Sequence, residues 1–192
     1  MKTVAPEFYR PNVGLMLIGP ERRIFVGRRL NQSDAWQMPQ GGVDKGETPV
    51  EAACRELREE VGTAKALLLR ETRDWVTYDV PPDLHPPHWK GRWRGQAQKW
   101  FALAFTGQDS DIDLAAHDQE FDAWRWAPAD ELLEVIVPWK RPVYEIVLSE
   151  FSDLLMPDRA QDARGPMTMS LVRRTCSPGC AETTDQRGSA GR

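Results

Sequence analysis

Three glutamates, Glu56, Glu59 and Glu60, crowd one side of a short predicted helix. Spacings of three and four residues bring side chains to the same side of an α-helix. Like charges this close repel each other, so the cluster gives the helix no structural benefit. Mg²⁺ would turn this cost into a binding site, because it takes a few carboxylate oxygens and leaves other positions to water and phosphate oxygens. Taken alone, however, a charged helix face is more often simply solvated.

The helix that positions these acids has clear start and stop signals. Thr48 can cap its N-terminus, Pro49 suits the first helical position, and Glu51 completes a Thr-x-x-Glu capping box. Gly62 supplies a C-terminal stop. The apolar residues at helical spacing are Val50, Cys54, Leu57 and Val61. We therefore expect the helix to pack by this stripe and to present its acids on another.

The whole segment from residue 41 to residue 62 is more informative than the acids alone. It reads GGVDKGETPVEAACRELREEVG and keeps Gly41, Glu47, the Arg-Glu-Leu triplet, two further glutamates and Gly62 at fixed spacing. This pattern resembles the Nudix box, the active-site motif of the Nudix hydrolases. Thr63 stands where that family usually has an aliphatic residue, at a position that packs rather than reacts. The resemblance implies cleavage of a diphosphate linked to another chemical group.

Five other segments narrow the resemblance. They are YRPNVG at 9–14, WQMPQGG at 36–42, GQAQKWF at 95–101, EFDAWRW at 120–126 and VPWKRPVY at 137–144. Together they resemble the bacterial RNA pyrophosphohydrolases and the related dinucleoside polyphosphate hydrolases over residues 8–155. The family usually has Phe where Met38 stands, and an acid is common where Pro142 stands. The fold implied is the Nudix fold of the α/β class, an α/β/α sandwich with a mixed β-sheet between helices.

The resemblance also implies a metal site and a base. Mg²⁺, with Mn²⁺ or another divalent cation as a substitute, would be held by Glu56, Glu59, Glu60 and Glu120. For Glu120 the alternative is a solvated acid in an acidic loop. We expect Glu56 to take the proton of the attacking water, with Glu60 as the second candidate. Arg55 is expected to pair with Glu47 or another acid of the loop, and so to hold the loop to the helix rather than contact the substrate.

Other residues are expected to bind the substrate. Arg10 and Arg29 could grip phosphates, since guanidinium groups suit bidentate contacts. Trp139 either stacks on a base or packs at the start of a helix, and Lys140 beside it is expected to contact a phosphate. The remaining expected substrate contacts are Gln40, Gly41, Gly42 and Lys99.

A basic, aromatic strip lies between residues 84 and 108, which include no acid. It interleaves Lys90, Arg92, Arg94 and Lys99 with Trp89, Trp93 and Trp100. Such a strip suits a polyanion with stacking bases. The net charge of −4 nevertheless argues against unspecific binding of nucleic acid by the whole surface.

The organisation of the chain is expected to be one domain over residues 1–156 and a disordered polar tail over 157–192. Predicted strands cover 13–19, 22–29, 36–39, 66–80, 98–107 and 121–127, and a second long helix covers 139–155. Cys176 and Cys180 in the tail are interpreted as incidental. The chain has neither a signal-peptide core nor a transmembrane run, so we expect a cytoplasmic protein.

The function these features predict is Mg²⁺-dependent RNA 5′ pyrophosphohydrolysis, which converts 5′-triphosphate or diphosphate ends to monophosphates and so initiates RNA decay. Hydrolysis of dinucleoside polyphosphates by the same machinery is the nearest alternative. A third hypothesis is a non-catalytic Nudix-fold module that binds RNA, although a retired site would have no reason to keep three crowded glutamates. We expect no membrane or DNA partner, and the sequence identifies no protein partner.

Overall fold

The computed structural model describes residues 4–30, 35–156 and 174–176. Its strands are β1 (Tyr9–Ile18), β2 (Ile24–Arg29), β3 (Trp36–Gln37), β4 (Gln40–Gly42), β5 (Ala66–Glu71), β6 (Val76–Asp79), β7 (Gly95–Phe105), β8 (Phe121–Ala127) and β9 (Arg174–Thr175). Its α-helices are α1 (Pro49–Val61), α2 (Leu132–Val135) and α3 (Arg141–Glu150). None of the helices in these residues is long and apolar enough to cross a membrane.

The strands form one mixed sheet. Its main path runs β3-β2-β1-β7-β5-β9, while β4 pairs with β1, β6 with β7 and β8 with β2. The central pair, β1 and β7, is parallel from Tyr9–Gly95 to Ile18–Ala104. Every other pair among the described strands is antiparallel. Because both faces of the central pair are covered, β1 carries a continuous apolar run rather than an alternating one.

Helices cover both faces of the sheet and form two separate cores. On one face Leu57 and Val61 of α1 pack with Leu15 of β1. On the other face Tyr144 of α3 packs with Trp100 of β7, and their rings meet edge to face at 5.6 Å. The α/β/α sandwich with a mixed sheet is therefore confirmed.

Helix α1 forms as its local signals predict. It begins after Thr48, whose hydroxyl accepts a hydrogen bond from the Glu51 N–H while the Glu51 carboxylate accepts one from the Thr48 N–H. It ends at Gly62, whose φ of 74° lies in the left-handed region that suits glycine. Both ends of the helix that carries the acids are thus fixed by the chain itself.

Several element bounds differ from the predictions. The stretch predicted as one strand over 66–80 is two strands, β5 and β6, with residues 72–75 between them. The second helix is shorter than predicted, because residues Pro138–Lys140 and Ser152–Leu154 form 3₁₀ turns at its two ends. The four-residue helix α2 is too short to show a helical period, so the sequence did not indicate it.

Part of the tail belongs to the fold, which corrects two expectations. Arg174 and Thr175 pair with Leu68 and Leu67 of β5, and Cys176 forms a disulfide with Cys54 of α1. Cys176 is therefore not incidental, and a domain ending at residue 156 omits β9. The partners are 122 residues apart, so no local pattern relates them. The rest of the predicted disordered tail, including Cys180, lies outside the described residues.

The hydroxyl of Tyr144 gives a test of the core that supports β4. It accepts a hydrogen bond of 2.8 Å from the backbone N–H of Met38, and both residues are fully buried. Tyr144→Phe leaves this N–H without a partner, which we expect to cost about 1–3 kcal/mol of unfolding free energy. Tyr9→Phe is the matched control, because the Tyr9 hydroxyl donates to Asp79 in an exposed position. Equal melting temperatures for the two variants would contradict this account of the core.

Candidate active site

Two glutamates of α1 are buried although they can carry charge. Glu56 and Glu60 are only 7% and 3% exposed. The backbone of β4 lies directly against them: the Gln40 N–H donates to Oε2 of Glu60 at 2.8 Å. A Cβ atom on Gly41 would lie 1.8 Å from the Glu56 carboxylate, so only glycine allows this approach. The glycine loop, Gly41 and Gly42, therefore packs directly against the acids of α1, and the two form one unit.

Arg55 holds this unit together. Its guanidinium donates to both carboxylate oxygens of Glu47 at 3.0 Å and to the carbonyl of Gly42 at 2.7 Å. The same side chain donates through Nη1 to Glu56 at 2.7 Å and to Glu59 at 2.8 Å. These contacts lower the pKa of the Glu47 carboxyl. The predicted pairing of Arg55 with Glu47 is present, and the contacts with the two acids of α1 are additional.

Glu120, directly before β8, lies close to the buried acids of α1. Burial and then the negative charge of Glu120 raise the pKa of Glu60 well above its usual value. Burial also raises the pKa of Glu56, to which Glu59 and Glu120 add. Glu120 itself is half exposed and lies 4.0 Å from Arg29. Glu120 and the more exposed Glu59 are thus near enough to act on the buried pair, and cation binding by the four carboxylates stays a prediction.

The carboxylate oxygens of this site suit a divalent cation. Oε1 of Glu60 is buried and has no hydrogen-bond partner among the described residues. A buried, unpaired carboxylate oxygen is costly, and a hard cation is the partner that would remove the cost. Among the described residues no three acidic, histidine or cysteine side chains are already closed around a cation position. Glu56 and Glu59 are both bound by Nη1 of Arg55 in this structure.

Lys140 lies inside the site rather than on its surface. Its ammonium is buried and donates to Oε1 of Gln37 at 3.1 Å and to Oε1 of Gln40 at 2.9 Å. Burial and the positive charge of Arg29 lower its pKa to about 8, while Glu60 and Glu120 oppose this. In this structure Lys140 contacts the Gln40 side chain, and its contact with a phosphate stays a prediction.

A buried polar network links the site to the central strands, and sequence reasoning did not find it. Gln98 of β7 donates to Asn12 of β1 at 2.9 Å and to Gln40 at 3.0 Å. Tyr78 of β6 donates to Gln96 at 2.7 Å. The available signal was the pair of glutamines at alternate positions of β7, Gln96 and Gln98, in a strand whose remaining residues are apolar except Lys99. The network fixes the side of β4 that faces away from α1.

Two residues that are predicted to contact phosphates lie close to β4 and Glu120: Arg10 is next to Gly42, and Arg29 is 4.0 Å from Glu120. The guanidinium of Arg10 covers Gly42, where an added Cβ would lie 2.2 Å from its Nη2. Arg10 and Arg29 both lower the pKa of Tyr78, while burial raises it more. Trp139 is 36% exposed and belongs to neither core. Exposure of this ring favours stacking over packing.

Lys99, another predicted substrate contact, is bound within the protein itself in this structure. It is buried, and its ammonium donates to the carbonyls of Thr72 and Arg73 and lies 3.5 Å from Glu71. The basic, aromatic strip is also shorter than the sequence indicates, because Trp89 and Trp100 are buried. A one-dimensional pattern of charges and rings does not show which side chains of a strand point inward.

Similarity to known proteins identifies the family of this chain. The NUDIX domain family matches residues 8–146, which is more than half of the chain. The chain belongs to the NUDIX family. Two curated relatives, each called RNA pyrophosphohydrolase, come from Rhodospirillum rubrum and Rickettsia bellii. The first is 55% identical over 79% of this chain and 92% of its own. The second is 49% identical over 77% of this chain and 92% of its own.

Solved structures of low sequence identity share the NUDIX fold. An Ap4A hydrolase from C. elegans, in a binary complex, aligns with a TM-score of 0.56 at 17% identity, covering 75% of this chain and 98% of that one. The E. coli dihydroneopterin triphosphate pyrophosphohydrolase gives 0.54 at 22% identity, covering 72% and 96%. At these identities the likeness concerns the fold alone.

The raised pKa of Glu60 predicts how the metal-free protein responds to pH. A carboxyl whose pKa is higher in the folded state stabilises that state below the unfolded pKa, and this contribution is lost as pH rises through the folded pKa. Glu60→Gln is neutral at every pH and keeps an acceptor for the Gln40 N–H. We therefore expect it to melt above the parent protein at about pH 8 in EDTA, with the difference closing toward about pH 5.

The parent protein and Glu60→Gln are compared at each pH in the same buffers, so the difference between their melting temperatures isolates the contribution of the Glu60 carboxyl. If the Glu60→Gln difference is the same across the whole range, the electrostatic account of this buried carboxyl is wrong.

Proposed function

We propose that this protein is a Mg²⁺-dependent RNA 5′ pyrophosphohydrolase, which converts 5′-triphosphate or diphosphate ends of RNA to monophosphates and so initiates RNA decay. The observation that carries the proposal is the buried carboxylate pair, Glu56 and Glu60, against the glycine loop and next to Glu120. The two RNA pyrophosphohydrolases that match most of the chain at 55% and 49% identity support the choice of RNA. A substrate of this kind suits a cytoplasmic location.

The metal would be held by Glu56, Glu59, Glu60 and Glu120. Mg²⁺ supplies charge neutralisation at the phosphate oxygens, and Mn²⁺ or another divalent cation is an acceptable substitute. Arg55 can keep Glu47 and the Gly42 carbonyl through Nε and Nη2 while Nη1 releases the two acids that it also binds. The loop thus stays attached to α1 when the acids turn to a cation.

In the proposed reaction one glutamate accepts a proton, and two arginines bind the substrate. Glu56 takes the proton of the attacking water, with Glu60 as the alternative, and the water attacks phosphorus in line with the leaving oxygen. Arg10 and Arg29 contact the phosphates, since their guanidinium groups lie beside Gly42 and Glu120. The backbone of residues 40–42 approaches the phosphates closely, and Trp139 stacks on a base.

Two rival functions are distinguished by particular observations. A non-catalytic RNA-binding module would have no use for a buried Glu60 oxygen that lacks a donor, because that oxygen only destabilises the metal-free fold. Dinucleoside polyphosphate hydrolysis uses the same acids and remains the second candidate. Competition between 5′-triphosphorylated RNA and diadenosine tetraphosphate at equal concentration decides the preference, and we expect the RNA to be consumed first.

Loss of the proposed base should abolish most of the activity. Glu56→Gln keeps the size of the side chain but removes a charge and the proton acceptor, so we expect turnover to fall by at least about 10²-fold. The measurement is release of pyrophosphate from 5′-triphosphorylated RNA at saturating Mg²⁺. Glu145→Gln removes an exposed carboxylate of α3 that pairs with Arg141 and should leave turnover unchanged. Near-normal turnover of a folded Glu56→Gln protein would refute the assignment.

Removal of the exposed Trp139 ring tests whether a base stacks there. Trp139→Ala should weaken binding of a short RNA by about 1–3 kcal/mol if a base stacks there. Its melting temperature should stay close to that of the parent protein, because the ring is not part of either core. The matched control is Ile146→Ala, which removes an exposed apolar side chain on α3. Unchanged RNA affinity in the folded Trp139→Ala protein would exclude stacking at this ring.

A further inference from the structure

An aromatic groove opens next to the glycine loop, and none of the roles proposed above uses it. It has a volume of about 500 Å³, which is within the range of small-molecule sites. Its walls include the rings of Phe8, Tyr9, Trp75 and Trp93, together with Val43 and Arg92. We refer to it as the Trp75–Trp93 groove.

The groove continues the active site along β4. Along β4, the Gln40 side chain contacts Lys140, Gly41 lies against Glu56, and Gly42 is covered by Arg10. Val43 follows directly and lines the groove, while its N–H donates to the carbonyl of Pro11. At about 3.3 Å per residue, three steps from Gln40 amount to about 10 Å. The groove therefore begins beyond Arg10, at the opposite end of the site from Lys140 and Trp139.

The groove presents flat rings and cations that suit a nucleobase. Trp75 and Trp93 are only partly buried and belong to neither core. The Arg92 guanidinium lies 4.4 Å from the centre of the Trp93 ring. Phe8 is 62% exposed at a φ of 67°, and its carbonyl accepts a hydrogen bond from the Arg94 N–H, which fixes this strained residue at the rim. Aromatic faces and guanidinium planes are the surfaces on which bases stack.

Arg10 supplies the connection between groove and acids. Among the described residues its guanidinium has no hydrogen-bond or ion-pair partner, although it lies over Gly42 between Glu56 and the groove. An unpaired guanidinium in this position suits a phosphate. Of the two acids that line the groove, Glu47 is already bound by Arg55, so Glu7 and Arg92 are the charged side chains that remain in its lining.

We propose that the Trp75–Trp93 groove is a second nucleoside subsite. One base of the substrate stacks at Trp139, and the base at the other end of the polyphosphate stacks in the groove. This inference rests on the proposed function and extends its substrates to chains with a nucleoside at both ends, such as dinucleoside polyphosphates. Arg10 holds the phosphates between the two bases. Hydrolysis adds one water across a P–O–P bridge and releases two nucleotides, so no further reactant is needed.

Two substrates that differ only in the second nucleoside test the proposal. Diadenosine tetraphosphate carries it and adenosine 5′-tetraphosphate lacks it. For Trp93→Ala we expect kcat/KM on the dinucleotide to fall about 5- to 150-fold, which corresponds to about 1–3 kcal/mol. On the mononucleotide kcat/KM should be unchanged, and so should release of pyrophosphate from 5′-triphosphorylated RNA.

Two matched variants make the outcome specific. Trp93→Phe keeps a stacking face and should retain most of the activity on the dinucleotide, whereas Ile146→Ala, outside the groove, should change nothing. Equal falls on both tetraphosphates, or no fall in a folded Trp93→Ala protein, overturn the subsite. The subsite is also overturned if the parent protein cleaves triphosphorylated RNA but not the dinucleotide. That result leaves the proposed function intact. A parent protein that cleaves none of the three substrates refutes both.

Discussion

Burial of the Glu60 carboxylate next to Glu120 is the constraint on which the rest of the site depends. One of its oxygens accepts the Gln40 N–H, and the other has no donor. A single backbone hydrogen bond does not offset the desolvation of a carboxylate beside another carboxylate, so the pKa of Glu60 rises. The metal-free fold is therefore strained electrostatically at the place where a divalent cation would bind. We interpret this cost as the reason the site selects a cation.

Strand β4 is the element that organises the chemistry. Its three residues lie between α1, which supplies the acids, and the polar network of the central strands. On one side Gly41 lets the Glu56 carboxylate approach the backbone, and on the other the Gln40 side chain contacts Lys140 and Gln98. A strand this short is rigid here because β1 pairs with it and Arg55 binds the carbonyl at its end. Strand β4 thus connects the buried acids of α1 to Lys140 and the polar network.

The sequence predicts those parts of this site that local signals determine. The capping box at Thr48, the stop at Gly62 and the spacing of the acids lie within one segment, and the structure contains all three. The network is different, since Gln98 and its partner Asn12 are 86 residues apart and meet only because β1 and β7 are parallel. The burial of Lys140 likewise depends on where α3 packs on the sheet. Such pairings are properties of the tertiary fold, which no window of sequence contains.

The most direct test of the central claim is calorimetric titration of Mg²⁺ at mildly acidic pH in two buffers of different ionisation enthalpy. If the buried acids are the metal ligands, binding must deprotonate Glu60, and the two buffers should reveal protons released with each cation bound. Glu60→Gln should release fewer protons and bind Mg²⁺ more weakly. Binding of equal strength in the variant, with no proton release in the parent protein, would contradict the account.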